Sequence, residues 1–178
     1  MQPFFSIIIP VYNCENTISQ TLDSVLSQNF DDYELILVND FSSDNTIGII
    51  NDYKEKFEKV TIINNAKNFG VAESRNIGVK NANGIYIALL DGDDIWMPDK
   101  LKKQKCIIEK TNCDICCTSY NFIDENSQNI KSTYVVPGCI TYKMLLKENY
   151  IGCSTAIIKK ELVLQNPMDT SMRITHYG

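Results

Sequence analysis

The sequence predicts an α/β fold: a doubly wound, Rossmann-like central sheet, mostly parallel with a mixed edge, in a single domain over residues 1–178. Three observations predict it. Four short runs rich in Ile, Leu and Val read as strands, the first two of them as buried strands. Segments with apolar residues at helical spacing lie between them, and such alternation implies a parallel sheet covered by helices on both sides. Polar clusters rich in acids and amides follow directly on three of the predicted strands.

The elements follow in order. "FFSIIIPV" (Phe4 to Val11) is the first strand. In "NCENTISQTLDSVLSQ" the positions Ile18, Leu22, Val25 and Leu26 mark a helix face, with Asn13 as its expected N-cap. "YELILVND" is the second strand, and "SSDNTIGIINDYKEKF" a helix opened by Ser and Asp caps. "KVTIINN" is the third strand, "GVAESRNIGVKNANG" a helix closed by Gly84, and "IYIALL" the fourth strand. Beyond Trp96, "MPDKLKKQKCIIEK" starts a helix at Pro98. "DICCTSYNFID" reads as a strand, "NSQNIKSTYVV" as a loop and short strand, "ITYKMLLKEN" as a short helix and "GCSTAIIKK" as a further strand.

Composition narrows the function. The chain is 44% hydrophobic and 22% charged, ordinary for a globular domain with a real core. A net charge of −5 disfavours nucleic acid as a partner. The N-terminal apolar stretch lacks a basic flank and is too short for a leader or a membrane span. Peripheral membrane contact and dimerisation stay open. Seven cysteines, an odd number, fit a reducing, cytoplasmic setting. "CDICC" has no second pair and no histidine beside it, so packed free thiols are expected there in place of a zinc site.

In an open parallel sheet the carboxyl ends of the strands share one edge, where ligands bind. "PVYN", "VND" and "DGDD" therefore converge on one crevice, bringing Tyr12, Asn13, Asp40, Asp91 and Asp93 together. The chain has neither G-x-x-x-x-G-K-[ST] nor an early G-x-G-x-x-G, so no glycine nest holds phosphate. Carboxylates reach phosphate through a divalent cation, and an oxygen-only set favours Mg²⁺ or Mn²⁺. Gly92 is expected to let the backbone turn tightly, so that its neighbours face one ion. That chemistry is metal-assisted departure of a phosphate leaving group.

Several blocks resemble one family. "SIIIPVYNCENTISQTLDSVLSQNFDDYELILVNDFSSDNT" looks like the opening of family 2 glycosyltransferases, and "GVAESRNIGVKNANGIYIALLDGDDIWMPDKLKKQ" like their central block. That block carries the D-x-D signature at Asp91-Gly92-Asp93, and "GCSTAIIKKELV" is similar to the acceptor-side strand. The resemblance implies a GT-A fold and inverting transfer from a nucleotide-diphosphate sugar to a glycan or lipid-linked acceptor, in polysaccharide synthesis, with Mn²⁺ or Mg²⁺. It implies a donor-binding half over residues 1–97 and an acceptor half over 98–178, acting in the cytoplasm or at the inner face of the membrane.

The donor-binding set carried over by motif is Pro10, Val11, Tyr12, Asn13, Asp40, Arg75, Asp91, Gly92 and Asp93. Tyr12 offers a ring to the base and Asp40 an acceptor to uracil N3–H, which makes UDP the expected nucleotide. Asn39 stands where the family usually writes a first aspartate. Arg75 approaches the nucleotide or is a helix-surface charge. Asp91 reaches the ribose or a metal-bound water, and Asp93 ligates the metal. Asp94 makes a local cap or supports a ligand. Trp96 packs the loop or forms part of a sugar platform.

The family's catalytic base, an aspartate after the acceptor-side strand, has no match in "NPMDTSMRITHYG", which ends at Gly178. The base is therefore expected just beyond Gly178 and stays unassigned. The chain reads as C-terminally truncated, binding its donor without transferring it. Asp169 and His176 lie near that position without matching the motif, and the apolar face of "CSTAIIKKELVL" is expected to be exposed, favouring dimerisation or disorder from about Asn166 onward. A nucleotidyltransferase and a non-catalytic nucleotide-sugar-binding module are the competing readings.

Overall fold

The computed structural model describes residues 2–124, 128 and 130–171. His176 lies outside them, and so does Gly178, the position past which the catalytic base is expected. The strands are β1 (Phe5–Val11), β2 (Tyr33–Asn39), β3 (Val60–Asn64), β4 (Tyr86–Leu89), β5 (Ile115–Cys116) and β6 (Ile157–Lys159). The helices are α1 (Ile18–Leu26), α2 (Thr46–Tyr53), α3 (Val71–Asn81), α4 (Lys100–Thr111), α5 (Tyr142–Leu145) and α6 (Lys160–Gln165). One sheet runs in the order β3-β2-β1-β4-β6-β5. The first four of these strands are parallel, β6 is antiparallel to β4, and β5 is antiparallel to β6.

Every side chain of β1 is buried. Phe5, Ile7, Ile9 and Val11 pack on one side with α1 and α4 residues such as Leu22, Val25 and Leu101. Ile8 points the other way, into a second cluster with Ile36, Val38, Val79 of α3 and Val163 of α6. That is the period-2 alternation of a strand covered on both faces. Because β1 sits between β2 and β4, the chain reverses its direction of winding there, and the crevice opens above the carboxyl ends of β1 and β4. The β1–β4 ladder ends at Ile8 and Leu89. Pro10, which has no N–H to donate, lies just beyond.

Some elements depart from expectation. Asn13 does not cap α1: the helix begins five residues later, after Thr17, and Asn13 adopts φ 48. Gly84 does not close α3, which ends at Asn81. Its role is clearance, since a Cβ there would lie 2.6 Å from the Ser6 backbone nitrogen. The strand expected over "DICCTSYNFID" contracts to Ile115–Cys116, with an isolated bridge between Tyr120 and Tyr134. Residues 160–163, the end of the block likened to the acceptor-side strand, are helical, within α6. The face expected to be left open is largely covered: Ala156, Ile157 and Val163 are buried, and Met168 exchanges hydrogen bonds of 3.0 Å with Asn76. All seven cysteines are free thiols; Cys113, Cys116 and Cys117 are half-buried, whereas Cys106 and Cys139 are exposed.

Opposite the crevice, Glu34 ties three segments together. Its carboxylate accepts from Ser6 Oγ, from the Asn83 backbone N–H, from Asn83 Nδ2 at 3.0 Å and from the Gly84 N–H at 3.2 Å. Burial alone would raise its pKa; the hydrogen bonds from Ser6, Asn83 and Gly84 overcome that and hold it below the usual range. A carboxyl held low stabilises the fold above its unfolded pKa and loses that contribution as pH falls through the folded value. Glu34→Ala is expected to cost about 3 kcal/mol at pH 7, through the donors it orphans. Glu34→Gln is expected to flatten the loss of stability between about pH 5 and 3. Urea unfolding across that range is the measurement, and an unchanged acid slope in the Gln variant would refute the assignment.

Candidate active site at the carboxyl edge of the sheet

The β1–α1 loop is laced to the segment after β2. Asn13 Oδ1 accepts from the Ser43 N–H at 2.8 Å, and the Asn13 N–H donates to Ser42 Oγ at 3.1 Å. The Cys14 N–H donates to Thr46 Oγ1 at 2.9 Å, and Glu15 Oε2 accepts from the Asn45 N–H at 2.8 Å. The side chains of Pro10 and Val11 are buried in the sheet, so they offer a crevice only their backbone. Tyr12 is half-buried at the rim.

Asp40 is fully buried, with 0% exposure. Its backbone N–H donates to the Val11 carbonyl at 2.8 Å. Its Oδ1 accepts from Asn65 Nδ2 at 2.8 Å and the Phe69 N–H at 2.9 Å; its Oδ2 accepts from the Gly70 N–H at 2.8 Å. The carboxylate expected to meet a base thus fastens residues 65–70, the loop that leads into α3. In this arrangement it is turned to protein donors and shielded from the crevice.

Arg75, on α3, is no surface charge. It is 9% exposed and its Nη2 pairs with Asp91 Oδ1. Asp91 opens the acidic turn, in which its carbonyl accepts from the Asp94 N–H at 3.2 Å. Gly92 does not adopt a positive φ. Its lack of a side chain matters for space, because a Cβ would lie 3.2 Å from Cys14 Sγ and 3.4 Å from Val11 Cγ1. The turn is held from several sides. Thr17 Oγ1 donates to the Gly92 carbonyl at 2.9 Å, and the Asp91 N–H donates to Ser154 Oγ at 3.0 Å. Trp96 is buried and donates from Nε1 to the Ser154 carbonyl at 2.7 Å, while Gln28 Nε2 donates to the Met97 carbonyl at 2.9 Å. Trp96 therefore packs the loop.

Asp93 and Asp94 both keep exposed surface yet stand in a crowded turn. Partial burial, then repulsion from Asp94 and Asp91, pushes the Asp93 carboxyl up. Burial and Asp91 push Asp94 up, against a hydrogen bond from Ser154 and the Arg75 charge. Beneath the turn, burial first of all pushes the Cys14 thiol up to about 11, which leaves it protonated and inert.

Among the described residues no three His, Cys, Asp or Glu side chains close around a metal by themselves. Mg²⁺ and Mn²⁺ commonly take one or two carboxylates and complete their shell with phosphates and water. Asp93, whose carboxyl resists ionisation among like charges, fits such an open half-site beside Asp91.

Ser154 was not legible as a site residue. It sits in a 3-10 turn over Cys153–Thr155, inside a stretch that reads as strand, and its partners Asp91 and Trp96 lie about 60 residues upstream. Asp169, near the expected base, turns inward on its own segment, accepting from the Ser171 N–H and Oγ.

A parallel sheet that switches direction at β1, with an acidic turn at its carboxyl edge and an antiparallel flank, is the GT-A fold of sugar transferases. The chain belongs to glycosyl transferase family 2, whose model matches residues 6–163. Over 158 residues it is 39% identical to WfgD of Escherichia coli, a UDP-Glc:alpha-D-GlcNAc-diphosphoundecaprenol beta-1,3-glucosyltransferase, covering 89% of this chain and 61% of that protein. WfaP of E. coli, described by the same activity, is 37% identical over 155 residues, covering 87% of this chain and 60% of its own length. The chain thus spans about 60% of these relatives. Among solved structures, Staphylococcus aureus TarS 1–349 in complex with UDP superimposes with a TM-score of 0.78 at 24% identity, over 96% of this chain and 52% of TarS 1–349. The mannosyltransferase PcManGT of Pyrobaculum calidifontis, in complex with GDP-Man and Mn²⁺, gives 0.73 at 20% identity, over 96% and 48%. No helix among the described residues is long and apolar enough to cross a membrane.

Proposed function

We propose that this chain carries the donor-binding machinery of an inverting, metal-dependent glycosyltransferase that uses a UDP-sugar in bacterial polysaccharide synthesis. The observation that carries this reading is the acidic turn at Asp91-Gly92-Asp93, braced by Thr17, Arg75 and Ser154 at the mouth of the β1–β4 crevice. Asp93, with Asp91, would hold Mn²⁺ or Mg²⁺. The bound metal supplies charge neutralisation of the departing nucleoside diphosphate. Tyr12 borders the base. Asp40 orders residues 65–70, the loop that leads into α3. Arg75 sets the Asp91 carboxylate and stands within reach of the diphosphate. Residues 1–97 supply this half and residues 98–178 belong to the acceptor half. The activity of the E. coli relatives supports UDP and a lipid-linked acceptor, which would draw the protein to the inner membrane surface.

Calorimetry of UDP binding tests the reading. Affinity is expected to rise at least tenfold with Mn²⁺ relative to EDTA, and Asp93→Ala is expected to erase that difference. Equal affinity with and without metal would sink the metal-dependent reading. Stronger binding of GDP or CDP than UDP would overturn the uridine assignment alone.

A further inference from the structure

The geometry points to an acceptor-sugar platform on the paired segments 119–124 and 130–136, a subsite for one hexose or N-acetylhexosamine ring of the acceptor glycan. The inference rests on the transferase reading above and supplies what that reading leaves blank, the surface that receives the acceptor.

The two segments are built to present rings. Tyr120 and Tyr134 pair across them through reciprocal backbone hydrogen bonds of 3.2 and 2.8 Å. Their rings stack at 5.0 Å with 25° between planes, and Phe122 meets Tyr120 edge-on at 5.3 Å. Phe122 and Ile130, with Lys131, Thr133 and Tyr134, line a shallow depression of about 740 Å³. Apolar groups left on a surface mark a binding site when polar groups rim them, and both kinds are present here. Lys131 Nζ lies 4.8 Å above the Phe122 ring, and Thr133 Oγ1 donates to Asn121 Oδ1. The Tyr134 hydroxyl donates to Glu148 Oε1 at 2.7 Å. A sugar ring has the matching chemistry: an apolar C–H face for an aromatic ring, and equatorial hydroxyls for carboxylate, amide and ammonium partners at the edge.

Position is the second observation. Tyr120 Cε1 lies 3.7 Å from where a Cβ on Gly152 would stand. Gly152 leads directly into the 3-10 turn whose Ser154 holds the Asp91 N–H and the Trp96 indole. The platform is therefore continuous with the brace of the acidic turn, approached from the β6 side of the sheet. The loops that would hold the nucleotide lie on the β1–β2 side. A sugar seated there sits on the opposite flank of the turn from the base.

Saturation-transfer NMR with this chain and the methyl glycosides of glucose, galactose, N-acetylglucosamine and N-acetylgalactosamine is the test. At least one glycoside is expected to receive saturation at about 10 mM or below. Phe122→Ala and Tyr134→Leu should each weaken that signal at least fivefold; the exposed Phe122 should leave the melting temperature near wild type, and the half-buried Tyr134 is read against its own melting curve. UDP calorimetry runs in parallel. If UDP and metal fail to bind while a glycoside still maps to these rings, the donor reading falls and the platform stands. No saturation of any glycoside, or saturation indifferent to both substitutions, overturns the platform. Capture by phosphatidylglycerol vesicles that is lost in Phe122→Ala, with no glycoside bound, overturns it in favour of a membrane-facing patch.

Discussion

Asp40→Ala is expected to lower the unfolding free energy by about 4 kcal/mol, through the loss of a buried acceptor shared by three donors. For a domain of this size that is a fall of about 10 °C in melting temperature. The Asn65 amide and the N–H groups of Phe69 and Gly70 all point at this carboxylate, and no water can replace it at 0% exposure. Because those donors belong to the loop entering α3, the damage is directional. Arg75 rides on that helix and sets Asp91, so UDP affinity should fall as well. Asp40→Asn keeps one acceptor oxygen and should recover about half the stability. Hydrogen exchange locates the effect: the amides of Phe69 and Gly70 should lose protection first. A melting temperature within about 2 °C of wild type for the Ala variant would show that the carboxylate is not the fastening.

Lys100 gives the second large effect, read as a pH slope. It is 8% exposed, donates to Gln104 Oε1 and to the Thr155 carbonyl at 3.4 Å, and lies 4.4 Å over the Trp96 ring. Burial pushes its pKa down to about 7, with Cys116 and Cys117 opposing. Below pH 7 both native and unfolded chains hold the proton and the burial penalty is fully present. Between pH 7 and about 10.4 the unfolded chain keeps a proton that the native chain has released, so stability rises with pH. The gain from pH 7 is about 2 kcal/mol by pH 8.5 and on the order of 4 kcal/mol by pH 10.5. Lys100→Met should lose this rise. The difference between the two proteins is the readout, because buried thiols such as Cys14, at about 11, pull stability the other way once free thiols ionise. Parallel urea curves for wild type and variant from pH 7 to 8.5 would rule out the assignment.

β1, β2 and β4 were legible because both of their faces are covered, whereas β3, at the sheet edge, is only half-buried and was read from its Ile and Val content. A run such as "IIIPV" has no exposed side to interrupt it, and every β1 residue is buried. The flank was harder to read. β5 is an edge strand whose Ile115 is 44% exposed, so its two residues carry no pattern. Helix α6 follows β6 without a break, and its N-cap residue Lys159 makes no side-chain cap, so no start signal marks it. The acidic turn announced itself by repulsion among its own neighbours. The employment of Asp40, by contrast, is decided by Asn65, Phe69 and Gly70, some 25–30 residues away. Asn13 looks like a cap by residue type, yet its side chain is spent on Ser43. Local chemistry finds residues that crowd one another. It does not find residues that a distant loop has claimed.

The antiparallel partner of β4 has a consequence for the order in which the molecule is made. During synthesis β1, β2 and β3 emerge first and can pair among themselves, and β4 can then dock on β1. Its other edge, Tyr86–Ala88, waits for Ile157–Lys159, about 70 residues later. Until those residues leave the ribosome, an unpaired and apolar strand edge stands open beside the unfinished acidic turn, the kind of surface that recruits another chain. The turn lacks its Ser154 brace for the same interval. Nascent chains of this protein should therefore be most vulnerable to misassembly, and most dependent on chaperones, between the emergence of residue 89 and that of residue 159.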